Sequence, residues 1–303
     1  MPQSWEDRFE SLRASRVLTH NADYLEFLVR KVWRIDRAPL RVAEFGCGYG
    51  RFASMLLPLL SAGTSYTGFD SAATLISKGK EIFADSPYPV SFLRGDTHHA
   101  PLRDRNFDVT IAHLVLMHVP DSERVLREMI RVTRPGGLVI ACDASRNGSN
   151  ALLHIEETNE QENLPLEIFQ TVNRSIRNES GVDYNIGMKT PVVMHRLGLE
   201  NVQARVSDAV ALLFPPVDSP EKEQIFQAMC SEGLGYQPTD EAEIDRWRQA
   251  FIRRGVSPDA ADKEIKRELD RDFLHKGRTY HTASPCVFTF SFGTVARSAT
   301  SSQ

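Results

Sequence analysis

The apolar positions of this chain follow two rhythms that alternate. Short, nearly continuous runs stand at Leu40–Phe45, Tyr66–Phe69, Val90–Leu93, Asn106–His113 and Leu138–Cys142. Runs of that length without alternation predict strands of a parallel sheet covered on both faces. Between them apolar residues recur at helical spacing: Phe52, Met55 and Leu56, then Leu75, Ile76 and Ile82, then Val125, Leu126, Met129 and Ile130. Each set predicts a helix with one buried stripe. Strand and helix in alternation give an open α/β sheet. A further amphipathic helix over about 22–33, with Leu25, Leu28 and Val32 on its stripe, is expected to cover one face of that sheet.

The second half changes character. Thr190 and Pro191 open a short helix that closes at Gly198, and Val202–Val206 with Val210 reads as a sixth strand. From Cys286 to Phe292 the period becomes two, with Cys286, Phe288, Phe290 and Phe292 on one side, which predicts a last strand with an aromatic face. Two stretches are left over, about 144–188 and 209–283. The first holds Leu152–Glu157 and room for a helix with Leu166, Ile168, Phe169 and Val172. The second holds three helices opened by Ser219-Pro220, Thr239 and Ser257-Pro258. The tail 298–303 is expected to be disordered.

The chemistry sits where the first run breaks. Glu44-Phe45 leads into Gly46-Cys47-Gly48-Tyr49-Gly50, and a helix follows. Such a loop lets the backbone approach a ligand while the new helix offers free N–H groups. Close-packed α/β turns also use glycine. A dinucleotide fingerprint would read G-x-G-x-x-G with an acid about 20 residues on; here the glycines run G-x-G-x-G, and the acid is Asp70. An acid at the end of a second strand suits the ribose of either cofactor class.

The E-x-G-x-G-x-G form resembles motif I of the class I S-adenosylmethionine (SAM) dependent methyltransferases. Other pieces follow in that family's order: Gly95-Asp96-Thr97 after the third run, Phe107-Asp108 opening the fourth, His118-Val119-Pro120-Asp121, and the turn Arg134-Pro135-Gly136-Gly137 before the fifth. The resemblance covers about two-thirds of the chain and little of the two insertions. It implies an α/β, Rossmann-like, seven-stranded and mostly parallel sheet with an antiparallel last strand, plus helical cap insertions. The chain is then one domain over 1–303, with its core at about 22–143, 189–208 and 285–295 and the caps at about 144–188 and 209–283. The cofactor it implies is S-adenosyl-L-methionine. Carried over position by position, the contacts fall on Glu44, Gly46, Cys47, Gly48, Asp70, Ser71, Asp96, Thr97, His113 and His118. Asp70 would take the ribose hydroxyls and Asp96 the adenine amine; a turn-capping role is the other reading of Asp96. Arg13 or Arg16, in the N-terminal segment, is placed near the cofactor carboxylate.

Totals narrow the partners. A net charge of −4 argues against a nucleic-acid partner. Cys47, Cys142, Cys230 and Cys286 lack C-x-x-C spacing and read as free thiols in a reducing, cytoplasmic compartment. No apolar run approaches the roughly 18 residues that span a bilayer, and no signal-peptide core is present at the N-terminus. His98-His99 lack the further ligands a metal would need, so no metal is expected.

The expected activity is methyl transfer to a small metabolite, of the kind found in secondary metabolism, on O, N or C. A helical lid over 219–274 would enclose the acceptor, with Trp247 and Phe251 as its walls. The same helices would also serve a homodimer interface. Candidate bases are His113, at the end of the fourth strand, and the pair His154 and Glu157, which would share a helix face at three-residue spacing. Two alternatives stand beside this: a SAM-binding subunit without transfer chemistry, and a nicotinamide dehydrogenase.

Overall fold

The computed structural model describes residue 19 and residues 21–156 and 166–297. Its strands are β1 (Arg41–Phe45), β2 (Ser65–Asp70), β3 (Val90–Arg94), β4 (Phe107–His113), β5 (Thr133–Ala144), β6 (His154–Ile155), β7 (Leu199–Val206), β8 (Val210–Leu213), β9 (Thr282–Pro285) and β10 (Phe288–Val295). Seven form one sheet in the order β3-β2-β1-β4-β5-β10-β7. β1 runs parallel to β2 and β4, and β4 parallel to β5; β10 runs antiparallel to both β5 and β7. The expected antiparallel last strand is thus present, inserted between β5 and β7. The strand order reverses between β1 and β4, which opens a crevice at their carboxyl ends.

Burial explains why this pattern folds this way. The helix predicted for 22–33 forms as an α-helix over Ala22–Phe27 that continues as a π-helix over Leu28–Trp33. It covers the aromatic face of β10: the Trp33 ring lies 5.9 Å from that of Phe290 and 6.4 Å from that of Phe292. On the other face the helix Ser122–Val132 buries Val125, Leu126 and Met129 against the same core as Met194 and Leu199. Thr289 and Ser291, on the reverse of β10, are buried as well. The turn at Arg134–Gly137 does not precede β5 but bulges within it. Pairing with β4 jumps there from Phe107↔Thr133 to Val109↔Leu138.

The two insertions meet in a sheet that the sequence reading lacks. β6 from the first pairs with β9, and β9 with β8, from the second, all antiparallel. Ile155, Leu213, Phe226, Met229 and Phe273 close a small core beneath them. A second small core joins Ile168 of the helix Leu166–Ser180 to Val256 and Ala261, with Val172, Phe251 and Ile252 packed against it. The helices Pro220–Met229, Glu241–Arg253 and Pro258–Arg271 appear as predicted, though Asp240, not Thr239, caps the second. The third stops at Asp272, whose left-handed φ of 43° starts a separate turn at Phe273.

One expectation is overturned here. The helix Arg146–Leu152 ends before His154, and His154 enters β6 opposite Ala283. In a strand the helical face that was to bring His154 to Glu157 does not exist. Glu157 lies outside the described residues, as do Arg13, Arg16 and the tail 298–303. Among the described residues no helix is long and apolar enough to cross a membrane.

Candidate functional site

The site begins where β1 stops. Gly46 and Gly48 both take left-handed φ values, +62° and +54°. A Cβ on Gly46 would stand 2.7 Å from Val115 Cγ2, in the segment that follows β4, so this position excludes a side chain on two counts. Asp70, at the end of β2, fixes the loop. Its Oδ2 accepts the Gly48 amide at 2.9 Å and its Oδ1 the Ala72 amide at 2.9 Å. A carboxylate has about four lone-pair positions, so both oxygens keep capacity for a ligand.

Glu44 is buried within β1, where Oε2 accepts the Tyr66 hydroxyl at 2.6 Å. Burial, then the charge of Glu44, pushes the Cys47 thiol well above the ordinary thiol range, and the same two causes raise Tyr66. Cys47 therefore stays a neutral thiol and packs rather than reacts. Asp96 caps its own turn, accepting the His98 amide at 2.9 Å, and that bond holds its carboxyl below the usual range. His99 stands against the Arg124 guanidinium, with Nε2 2.6 Å from the nearer nitrogen. Among the described residues no group of three or more metal-ligating side chains converges.

His113, the last residue of β4, is buried with its ring lying flat on Phe52, centroids 4.4 Å apart. The chain then turns through Leu114, itself left-handed at φ 58°, into the 3-10 turn Leu116–His118. Asp143 of β5 holds that turn from behind: its Oδ1 accepts the Met117 amide at 3.0 Å, while its buried Oδ2 has no hydrogen-bond partner among the described residues. Burial drives the Asp143 carboxyl up to about 8, against the opposing pull of the Met117, Leu116 and Val115 amides.

These elements enclose a cavity of about 200 Å³ in the crevice between β1 and β4. All ten residues assigned to the cofactor from the sequence, Glu44, Gly46, Cys47, Gly48, Asp70, Ser71, Asp96, Thr97, His113 and His118, lie in its lining. Arg51, Leu75, His98, Val115 and Val119 line it too and were not assigned to the cofactor; Leu75 was visible as a helix-stripe residue, His98 as a rejected metal ligand and Val119 within a motif. Asp143 was missed as the acid that ends an apolar run. Of the candidate bases, His113 is in the lining and His154 is not. Trp247 and Phe251 are also absent from it. Trp247 packs on Tyr236 with ring centroids 4.5 Å apart, and Phe251 on the core around Ile168.

With this geometry in place, the relatives can be compared. The family model described as a methyltransferase domain matches residues 43–141. The chain is 29% identical over 150 residues to the demethylmenaquinone methyltransferase of Desulfitobacterium hafniense, covering 46% of this chain and 58% of that one. It is 31% identical over 125 residues to a phthiotriol/phenolphthiotriol dimycocerosates methyltransferase of Mycobacterium ulcerans, covering 41% of this chain and 44% of that one. The chain thus spans about half the length of the curated relatives it matches. Among solved structures, the [4+2]-cyclase SpnF superposes with a TM-score of 0.52 at 13% identity, covering 96% of this chain and 94% of that one. A phosphoethanolamine N-methyltransferase of Haemonchus contortus, bound to S-adenosylhomocysteine, gives 0.52 at 12% identity, covering 97% and 61%. At these identities the two structures speak to the fold alone.

Proposed function

We propose that this chain, which belongs to the class I SAM-dependent methyltransferases, transfers a methyl group from SAM to a small organic acceptor. The observation that carries the reading is the convergence of Glu44, Asp70 and Asp96, from the ends of three successive strands, on one cavity with apolar walls at Leu75 and Val115. That donor set fits SAM. Asp70 suits a pair of ribose hydroxyls, Asp96 an exocyclic amine, and the apolar side chains the faces of a purine. Three carboxylates also favour a ligand that carries positive charge. Bound SAM supplies a methyl group already activated on a sulfonium sulfur.

The protein's share of the work is then positioning and exclusion of water. The glycine loop and the turn Leu116–His118 would hold the cofactor from two sides, and the cap formed by 144–188 and 209–283 would shelter the acceptor. His113 is the base candidate that the cavity holds. A small-molecule acceptor is supported by the relatives, a demethylmenaquinone methyltransferase and a phthiotriol/phenolphthiotriol dimycocerosates methyltransferase.

Asp70→Ala tests the reading directly. A hydrogen bond to a charged acceptor contributes roughly 1.5–3 kcal/mol, and the same substitution frees the Gly48 amide. SAM affinity measured by calorimetry is expected to fall on the order of tenfold to a hundredfold. An unchanged affinity would remove Asp70, and with it the proposed orientation of the cofactor.

A further inference from the structure

A second arrangement stands beside His118, formed by Tyr184 and Arg146, which are not themselves in the cavity lining. His118 lines the cavity, and its ring meets the Tyr184 ring edge-on, centroids 6.0 Å apart. Over Tyr184 lies the Arg146 guanidinium, 5.4 Å from the ring centre. We infer that Arg146 and Tyr184, beside His118, form the acceptor's anion-reading subsite, and that the acceptor is a planar oxyanion, a phenolate or an aryl carboxylate. The inference rests on the proposed SAM site and names the substrate class for it.

Three observations support it. The first is that Arg146 is unspent. Its guanidinium makes no side-chain hydrogen bond to the described residues, and the carboxylate it pairs with, Glu232, stands at 3.8 Å with both side chains about half exposed. That pair is too long for the bidentate bond a guanidinium can make. The Tyr184 hydroxyl likewise has no hydrogen-bond partner among the described residues, and the Tyr184 ring is only partly buried.

The second is that the pair is held rigidly. Residues 181–189 are docked against Pro120, which follows the turn Leu116–His118, and against the end of β5 at two close approaches. A Cβ on Gly181 would lie 2.9 Å from the Pro120 carbonyl oxygen, and one on Gly187 would lie 2.3 Å from that of Asp143. Between these clamps Asp183 is buried and paired with Lys189 and Arg177. The Arg146 amide donates to the Tyr184 carbonyl at 3.1 Å, and the Asn147 amide to Asn185 Oδ1 at 2.8 Å. A surface pair without a task does not require such support; a preorganised recognition site does.

The third is polarity. Glu44, Asp70 and Asp96 place three carboxylates in the cavity lining against the one guanidinium of Arg51, so an anionic acceptor needs a further cation to hold it. Arg146 supplies the opposite charge beyond His118. The edge-on rings of His118 and Tyr184 offer an aromatic acceptor a surface to pack against.

The test uses the full chain saturated with S-adenosylhomocysteine, titrated with 4-nitrophenolate and with benzoate. 4-Nitroanisole and benzamide serve as uncharged controls. At least one anion is expected to bind, about tenfold or more tighter than its control; the better of the two assigns the phenolate or the carboxylate. Arg146→Ala should weaken that anion on the order of tenfold to a hundredfold, with Arg146→Lys recovering part of the loss. S-adenosylhomocysteine affinity should stay within about twofold in both variants, which shows that the cavity is intact. Anion binding that is unchanged in Arg146→Ala, absent from the loaded wild type, or lost in step with S-adenosylhomocysteine overturns the subsite. A wild type that fails to bind S-adenosylhomocysteine overturns the cofactor reading, and this inference with it.

Discussion

Asp143→Asn is expected to stabilise this chain, by an amount that is near zero at pH 4, grows through neutrality and levels off above about pH 8. The carboxyl is buried and has no cationic partner among the described residues, so burial favours its protonated form in the folded chain. In the unfolded chain it ionises near the ordinary value. Between those two values the folded state binds the extra proton. The stability this confers is therefore complete below the unfolded pKa and is lost as pH rises through the folded one. Each pH unit in that window is worth about 1.4 kcal/mol, so the full difference is on the order of several kcal/mol. Asparagine escapes this cost. Its Oδ1 still accepts the Met117 amide, and its amide replaces a protonated oxygen that already has no partner. Urea unfolding of both proteins at pH 4, 6, 8 and 9 checks the claim. A difference that stays constant across that range, or a less stable asparagine variant at pH 8, would show that Asp143 is ionised and satisfied in the fold.

Asp143 also marks the boundary of what the sequence could reveal. The central strands and the residues that line the cavity were legible because local signals coincide there. An apolar run ends, a glycine loop or an acid follows, and a helix stripe resumes. Gly46, Asp70 and Asp96 each occupy such a junction, and all three line the cavity. Asp143 also follows an apolar run, but its significance lies in the turn Leu116–His118 of another element, 26 residues earlier in the chain, which no local pattern reveals.

The insertions were legible as helices but not as an assembly. Ser219, Asp240 and Ser257 each accept a backbone amide at a helix start, which is a local effect. The β6-β9-β8 sheet is not local. It pairs two residues near position 154 with residues some 130 positions later, and runs this short carry no usable periodicity. The helix Pro258–Arg271 hides a contact of another kind. Glu264 and Arg271 sit at charged helical spacing that reads as a solvated face, yet both are buried, in a network with Arg267 and Glu268. Trp247 and Phe251 were assigned to the acceptor because they bring the most apolar area. That area is used to pack the cap on itself.

Gly187→Ala should cost about 3 kcal/mol, at the upper end of what one added methyl group costs in a packed interior. Gly198→Ala should cost only about 1 kcal/mol, the strain of a left-handed residue. The contrast separates two reasons for glycine. At Gly198 φ is +86° and nothing stands within 4 Å of the missing Cβ, so alanine there meets strain alone. Gly187 has no such φ; its obstacles are the carbonyl oxygens of Asp143 and Ala144, at 2.3 and 2.9 Å. Both belong to the backbone of β5, which is paired on one side with β4 and on the other with β10 and cannot retreat. The docked segment must yield instead, losing the bond from the Gly187 amide to the Ala144 carbonyl and carrying Tyr184 away from His118. Urea unfolding of the two variants at one pH measures both costs. In the SAM-loaded protein, Gly187→Ala should also raise amide exchange across 181–189 while leaving β1 and β2 protected. Equal costs for the two substitutions, or unchanged exchange across 181–189, would mean that this segment is not clamped against β5.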